Sequence, residues 1–222
     1  MGNLIILNGS PRAPRSHSRR YAEAFSACYP GQTDCFDLIR TDHQALCAQI
    51  GDAAGVLFVF PLYADALPVP LLNFLKFLEG HPPRQKPPVS VLINCGFLEP
   101  RQNEIAVQMM RLFCRRNQYP FGSVLMMGSG EAIWDSPFRF LAARKIRRFA
   151  GSVARGTQET FQVTMPLTKR IFVRAAASYW EQYGKKHGVS KQQMQTMQIE
   201  QGPIPDPPAS QSSPPADKAR PE

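Results

Sequence analysis

Five short apolar runs alternate with segments of helical periodicity in the first 150 residues, and this alternation strongly restricts the possible folds. The runs are Leu4–Leu7, Asp34–Ile39, Val56–Phe60, Val89–Ile93 and Val124–Met127. Because strands that alternate with helices are typical of parallel βαβ units, the pattern predicts a doubly wound α/β sheet. Right-handed crossovers then place helices on both faces. We expect a five-stranded parallel sheet and favour the order 2-1-3-4-5, which the sequence order alone does not fix.

The predicted helices lie between these runs and after the last of them, at Arg19–Cys28, Gln44–Ile50, Val69–Leu78, Glu104–Arg116 and Phe138–Ala150. Further helices are expected at 168–187 and from Val189 to about Ile199. From Gly202 the chain is rich in Pro and Ser, which predicts disorder. We therefore expect a domain at 1–155, a helical extension packed on the same domain at 156–201, and a disordered tail at 202–222.

The segment that follows the first run has the composition of a phosphate-binding turn. It reads NGSPRAPRSHS at 8–18, and the hydroxyls of Ser10, Ser16 and Ser18 and the guanidinium of Arg12 can reach phosphate oxygens. The helix that begins there adds free N–H groups and the positive end of its dipole. The same turn also occurs in proteins that bind no ligand, because serine is a common helix cap. The segment alone therefore leaves both interpretations open.

Two further loops should converge with this turn at the carboxyl ends of the strands. The loop Pro61–Lys76 contains several prolines and carries the aromatic ring of Tyr63, so it offers a stiff, flat surface. The loop Asn94–Phe97 contains Gly96, where the backbone can approach a ring edge closely. Together the three loops predict a pocket for a phosphorylated planar heterocycle.

The charge of the chain is unevenly distributed. The formal net charge is +9, and between Arg139 and Lys191 twelve Lys or Arg residues stand against two Glu residues. Such a basic segment can attract an anionic substrate, a nucleotide, an acidic protein or a membrane surface, or it can be a solvated helix face.

The cysteines and the apolar runs bear on the compartment. Five cysteines and four histidines are scattered through the chain, which favours reduced thiols and predicts no metal site. No apolar run approaches the length of a membrane span, and the first strand begins close to Met1. We therefore expect a cytoplasmic protein without a membrane span.

The three loop motifs resemble those of the NAD(P)H-dependent FMN reductase branch of the flavodoxin-like proteins. The match comprises NGSPRAPRSHS at 8–18, PLYADALPVPLLNFLK at 61–76 and NCGF at 94–97, and it covers roughly residues 3–155. The part after residue 155 also looks like the C-terminal helical extension of some members. The resemblance implies a flavodoxin-like fold, FMN as cofactor and NAD(P)H as co-substrate.

The resemblance also implies the residues that hold FMN. Its phosphate would be bound by Ser10, Arg12, Ser16, His17 and Ser18. One side of its isoalloxazine ring would be bordered by Pro61, Leu62, Tyr63, Ala64, Asp65 and Ala66, and the other edge by Asn94, Cys95 and Gly96. His17 replaces an Asn that is usual in the family, and the stretch 64–66 replaces one that often holds a larger residue and a glycine.

The activity implied by the resemblance is an oxidoreductase that takes hydride from NAD(P)H and passes electrons to a quinone, a flavin or another small-molecule acceptor. Because the flavin carries the redox chemistry, we name no catalytic side chain. An arginine cluster at Arg144, Arg147 and Arg148 is a candidate for the phosphates of NAD(P)H. A homodimer is expected, and no nucleic-acid partner.

Two alternatives remain open from the sequence. The first is a flavodoxin-type electron carrier, against which the basic charge argues, because such carriers are usually strongly acidic. The second is a flavin-free interaction protein that uses its basic face.

Overall fold

The computed structural model describes residues 3–196, which divide into two compact units between Leu167 and Thr168. The predicted disordered tail at 202–222 and the predicted end of the last helix lie outside the described residues.

The first unit is built on a parallel sheet of six strands in the order β2-β1-β3-β4-β5-β6. The strands are β1 (Leu4–Asn8), β2 (Thr33–Asp37), β3 (Gly55–Pro61), β4 (Val89–Asn94), β5 (Phe121–Met127) and β6 (Thr160–Val163). The α/β class, the parallel sheet and the order of the first five strands are confirmed. The predicted number of five strands is wrong, because β6 extends the sheet beyond residue 155.

The sixth strand is short and only half buried, which explains why it was not predicted. β6 pairs with β5 from Thr160 opposite Val124 to Val163 opposite Met127. Its side chains alternate between exposed and buried, with Phe161 and Val163 facing the core. Such an alternation over four residues is typical of an edge strand and forms no apolar run.

Five helices cover the two faces of this sheet. They are α1 (His17–Ser26), α2 (His43–Asp52), α3 (Val69–Gly80), α4 (Glu104–Arg116) and α5 (Arg139–Ala154), with 3-10 turns at Pro100–Asn103 and Ile133–Asp135. Side chains from α2, α3 and α4 pack on one face, and side chains from α1 and α5 pack on the other. Because both faces are covered, β1 and β4 are buried along their whole length.

Large aromatic side chains fill both cores. Phe58 of β3 packs against Phe74 of α3 with ring centroids 6.3 Å apart, and Phe25 of α1 meets Phe149 of α5 at 5.5 Å. Full burial of such a side chain contributes about 1.5–3 kcal/mol to the free energy of unfolding. The helices cover the faces of the sheet, and loops follow the strands at their carboxyl ends, where the candidate site lies.

The second unit contains α6 (Lys169–Lys186) and α7 (Lys191–Thr196). Thr168 caps α6, since its side chain accepts a hydrogen bond from the Ile171 N–H at 3.4 Å. Gly184 allows α7 to approach, because a Cβ there would lie 2.7 Å from the sulfur of Met194. That this extension packs on the sheet domain stays a prediction. Within residues 3–196, no helix has both the length and the apolar character needed to cross a membrane.

Candidate functional site

An open cleft of about 390 Å³ lies between the loops at the carboxyl ends of β1, β3 and β4. This volume is typical of small-ligand sites. Five of the predicted residues line it from the turn after β1, namely Ser10, Arg12, Ser16, His17 and Ser18. Pro61, Tyr63 and Asn94 line it from the other two loops. The structure therefore brings together eight of the residues that the sequence assigned to a cofactor site.

Asn8, at the end of β1, organises the turn that follows it. Its side chain is fully buried, and its Oδ1 accepts a hydrogen bond from the Ser10 N–H at 3.1 Å. Its Nδ2 donates to Asp37 Oδ1 at 2.9 Å and to Ser16 Oγ at 3.5 Å. Only an amide side chain accepts and donates in this way, so Asn8 fixes the turn to β2 and to the start of α1.

The start of α1 presents free N–H groups at the cleft. The side chain of Ser16 accepts a hydrogen bond from the Arg19 N–H at 3.1 Å, and the Ser16 carbonyl accepts one from the Arg20 N–H. The N–H groups of His17 and Ser18 have no acceptor among the described residues. Because these groups lie at the positive end of the helix dipole, they form a ready site for an anion.

The buried serine hydroxyls have different roles. Ser10 Oγ accepts a hydrogen bond from the Arg12 N–H at 3.3 Å, which leaves its hydrogen available for a ligand. Ser18 Oγ donates to Asn94 Oδ1 at 2.9 Å and so joins the turn after β1 to the loop after β4. The free donor of Ser18 is therefore its backbone N–H.

Four arginines line the cleft, Arg12, Arg15, Arg19 and Arg20, and within residues 3–196 two of the four are paired with carboxylates. Arg20 forms a bidentate pair with Asp135 at 2.7 and 2.5 Å, and Arg19 pairs with Glu23 at 2.9 Å. Arg12 and Arg15 form no salt bridge within residues 3–196. Two unpaired guanidinium groups beside free N–H donors favour a phosphate.

His17 contributes a buried nitrogen without a partner. Among the described residues its Nδ1 forms no hydrogen bond. Burial and the charge of Arg20 lower the pKa of His17, so the imidazole is neutral at pH 7. Since buried polar atoms in proteins are nearly always hydrogen-bonded, this nitrogen fits a site whose ligand supplies the partner.

The lowered pKa of His17 predicts a pH effect on stability. In the unfolded chain His17 binds a proton near pH 6.5, whereas in the folded protein it does so only at lower pH. The effect of His17 on the free energy of unfolding is therefore most favourable above pH 6.5, and this free energy decreases as the pH falls below 6.5. We expect His17→Gln to flatten the fall of the melting temperature between pH 7 and about 5, as measured by calorimetry without ligand. Equal slopes for the wild type and His17→Gln would contradict the assignment.

The loop after β3 forms a tight, strained turn. Tyr63 and Ala66 exchange backbone hydrogen bonds at 3.2 and 2.9 Å, while Ala64 and Asp65 have φ values of 45° and 56°. These left-handed conformations cost about 1–2 kcal/mol per residue when no glycine is present. Backbone strain of this kind clusters at ligand-binding sites. Ala64, Asp65 and Ala66 shape the turn without lining the cleft, and Leu62 packs against the core.

The loop after β4 places its residues differently from the expectation. Cys95 Sγ is buried and accepts a hydrogen bond from Asn103 Nδ2 at 3.4 Å, and burial raises the pKa of the thiol. Cys95 therefore has a packing role. A Cβ on Gly96 would lie 3.6 Å from the carboxyl carbon of Glu131, which is ordinary contact. Neither Cys95 nor Gly96 lines the cleft, whereas Glu131 does.

The other residues of the cleft wall were not among the predicted ones, namely Pro14, Arg15, Arg19, Arg20, Glu23 and Glu131. The arginines carry a usable signal, because Arg15 lies in the turn after β1 and Arg19 and Arg20 lie in the first turn of α1, at the same edge of the sheet. Glu23 lies one turn further along α1, beside Arg19. Glu131 lies far along the chain and has no such signal.

The arginine cluster suggested for the phosphates of NAD(P)H does not line the cleft at the turn after β1, and its role stays a prediction. Arg147 and Arg148 line a separate cleft with Arg155, Glu159 and Phe161. Glu159 directly precedes β6, so this cleft lies at the amino ends of the parallel strands. The turn after β1 lies at the opposite edge of the sheet.

No family model and no curated protein matches this chain. Solved structures do match. An azoreductase from Bacillus anthracis str. Sterne is 14% identical with a TM-score of 0.51, over 70% of this chain and 100% of its own. An NAD(P)H:quinone oxidoreductase from Methanothermobacter marburgensis is 18% identical with a TM-score of 0.52, over 68% and 96%. A flavodoxin from Streptococcus pneumonia is 13% identical with a TM-score of 0.52, over 69% and 98%. At these identities the similarity shows the fold alone, and the predicted flavodoxin-like fold is confirmed.

Proposed function

We propose that this protein is an FMN-dependent oxidoreductase that takes hydride from NAD(P)H and passes electrons to a quinone, a free flavin or another small acceptor. The observation that carries the proposal is the cleft at the turn after β1. There the unpaired guanidinium groups of Arg12 and Arg15, the free N–H groups at the start of α1 and the unpartnered Nδ1 of His17 lie together. The likeness in fold to a quinone oxidoreductase and an azoreductase supports it.

The phosphate of FMN would be held by the turn after β1. The hydroxyl hydrogen of Ser10, the N–H groups of His17 and Ser18, and the guanidinium of Arg12 supply donors for its oxygens. Ser16 would act mainly by capping α1 and so keeping those N–H groups in place. This set of donors matches a dianion, because hydrogen bonds to a charged group are the strongest available.

The ring of FMN would lie against the loops after β3 and β4. Tyr63 and Pro61 offer an apolar surface, and Asn94 lies at its edge, held by the Ser18 hydroxyl. The N–H groups of Ala64 and Asp65 have no acceptor among the described residues. They are available to stabilise negative charge on a ring edge, as fixed backbone dipoles do in other enzymes. Leu62, Ala66, Cys95 and Gly96 would act through the backbone positions of the two loops.

FMN, when bound, supplies the hydride and electron chemistry, and the protein supplies position and electrostatics. A homodimer and a cytoplasmic location stay predictions.

An absorbance spectrum of the purified protein, before and after addition of FMN, tests the proposal first. Bound flavin should give bands near roughly 375 and 450 nm. NADH and NADPH oxidation with a quinone acceptor should follow. A colourless protein that does not bind FMN would contradict the cofactor assignment. A yellow protein that oxidises neither nucleotide would instead indicate a flavodoxin-type carrier.

A further inference from the structure

The helix α6 has one apolar and one basic face. Phe172, Ala176, Tyr179 and Tyr183 follow one another at spacings of four, three and four, and therefore share a side of the helix. Val173 and Trp180 lie beside them, seven residues apart. Arg170, Arg174 and Lys185 repeat at spacings of four and eleven on the opposite side. Lys169 and Lys186 border the apolar side, and Glu181 lies on the basic side. The helix is therefore amphipathic, with cations at both ends of its apolar face.

Most of the apolar face of α6 is exposed to solvent, although Phe172 and Ala176 are half-buried. Val173, Tyr179, Trp180 and Tyr183 retain between 47% and 58% of their accessible surface. The rings of Tyr179, Trp180 and Tyr183 contact one another, with centroid separations from 5.3 to 6.3 Å. Four large apolar side chains together form a patch of the kind that marks an interaction surface.

The charge around this patch is almost wholly positive. Between Thr168 and Thr196 the chain carries six Lys or Arg residues and one acidic residue, Glu181. Glu181 is paired with Lys191, whose Nζ lies 2.6 Å from the carboxylate. Its charge is thus compensated inside the unit, and α6 presents a net positive surface to any partner.

We propose that α6 binds to the surface of an anionic lipid bilayer, with its apolar face in the headgroup region. Tyr and Trp side chains suit that region, because each combines an apolar body with a polar tip. Basic side chains on the other face are attracted by anionic headgroups. The charge argues against pairing of two copies through this helix, since Lys169 and Lys186 border the apolar side and like charges would meet at the rim of such a pair. Single-stranded nucleic acid would require bases to stack among the cations, whereas three of the five cations of α6, Arg170, Arg174 and Lys185, lie on the side opposite the rings.

Sedimentation of the full chain with lipid vesicles tests the proposal. The protein should bind vesicles that mix phosphatidylcholine with phosphatidylglycerol and should bind pure phosphatidylcholine at least tenfold more weakly, since each basic residue near the surface adds to the affinity. On binding, the emission of Trp180 should shift to the blue and be quenched by brominated lipid. Trp134, the only other tryptophan, is buried and should respond little.

Two variants separate the contributions of the two faces. Tyr179→Ser with Trp180→Ser removes apolar surface, and Arg170→Gln with Arg174→Gln removes two charges. Each pair should weaken vesicle binding about tenfold or more. The matched control is Arg144→Gln with Lys145→Gln in α5, which removes the same charge from the other unit and should change binding less than threefold. Far-UV circular dichroism verifies that every variant is folded.

Several results would overturn the proposal. One is equal binding to anionic and neutral vesicles, or no binding at low salt. Another is a loss of vesicle binding in the α5 control variant while both α6 variants still bind vesicles as the wild type does. A dimer abolished by Tyr179→Ser with Trp180→Ser would assign the face to a second copy. Tight binding of single-stranded DNA lost in the same variants would assign it to nucleic acid. A lipid-free Trp180 already shielded from acrylamide would show that the protein itself covers the face.

Discussion

Replacement of Gly128 by alanine should lower the free energy of unfolding by about 1–3 kcal/mol or more, the cost of overpacking a packed interior. A Cβ at this position would lie 2.4 Å from the carbonyl oxygen of Leu98 and 3.0 Å from Thr164 Oγ1. Thr164 in turn donates to the Leu98 carbonyl. Backbone and a hydrogen-bonded side chain block the space, so no rotamer change can relieve the contact. Urea unfolding followed by circular dichroism measures the effect.

The matched control is Gly80→Ala at the end of α3. No atom lies within 4 Å of a Cβ built there, and the position is helical. Because alanine has the higher helix propensity, this variant should be unchanged or more stable by up to about 1 kcal/mol. Equal stability losses in both variants would show that the packing at Gly128 is not as tight as described.

The Gly128→Ala substitution should also disturb the candidate site. The Ser129 N–H donates to the Phe97 carbonyl at 2.5 Å, and the Gly130 N–H donates to the Cys95 carbonyl at 2.7 Å. The segment after β5 thus holds the loop after β4 in place. A shift at Gly128 would move Asn94 and Glu131, which line the cleft from these two segments.

The sequence predicts those parts of the fold whose signal is local. β1, β3 and β4 are buried on both faces and therefore appear as continuous apolar runs. β2 is an edge strand, so its predicted bounds are displaced, and Leu38 belongs to the turn that follows. β6 has only Phe161 and Val163 facing inward, and its pairing with β5 depends on tertiary contacts.

The same distinction holds for the cleft. The turn after β1 is encoded within a dozen residues, because Asn8 and Ser16 fix it through local hydrogen bonds. The bidentate pair of Arg20 and Asp135 joins residues 115 positions apart, and no local sequence pattern predicts this pair. The packing role of Cys95 could not be predicted from the sequence either, since its burial against Asn103 depends on the 3-10 turn that precedes α4.

The largest functional effect is expected from Ser10→Ala combined with Arg12→Gln, which should weaken FMN binding about a hundredfold or more. Each side chain would donate one hydrogen bond to the phosphate, worth about 1.5–3 kcal/mol when the acceptor is charged. Arg12 forms no salt bridge within residues 3–196, and the Ser10 hydroxyl hydrogen is free, so neither change breaks a strong contact inside the protein. Titration of FMN with protein, followed by quenching of the flavin fluorescence, gives the FMN affinities of the wild type and of the double variant.

Riboflavin, which lacks the phosphate, separates this assignment from a general loss of the pocket. The double variant should bind riboflavin as the wild type does, because Tyr63, Pro61 and Asn94 are unchanged. Arg115→Gln, an exposed arginine at the end of α4, is the matched charge control and should keep the wild-type affinity for FMN. If the double variant loses both ligands equally, the turn after β1 supports the ring and does not hold the phosphate. If FMN affinity is unchanged, the phosphate is bound elsewhere, since charged hydrogen bonds at this turn cannot be lost without cost.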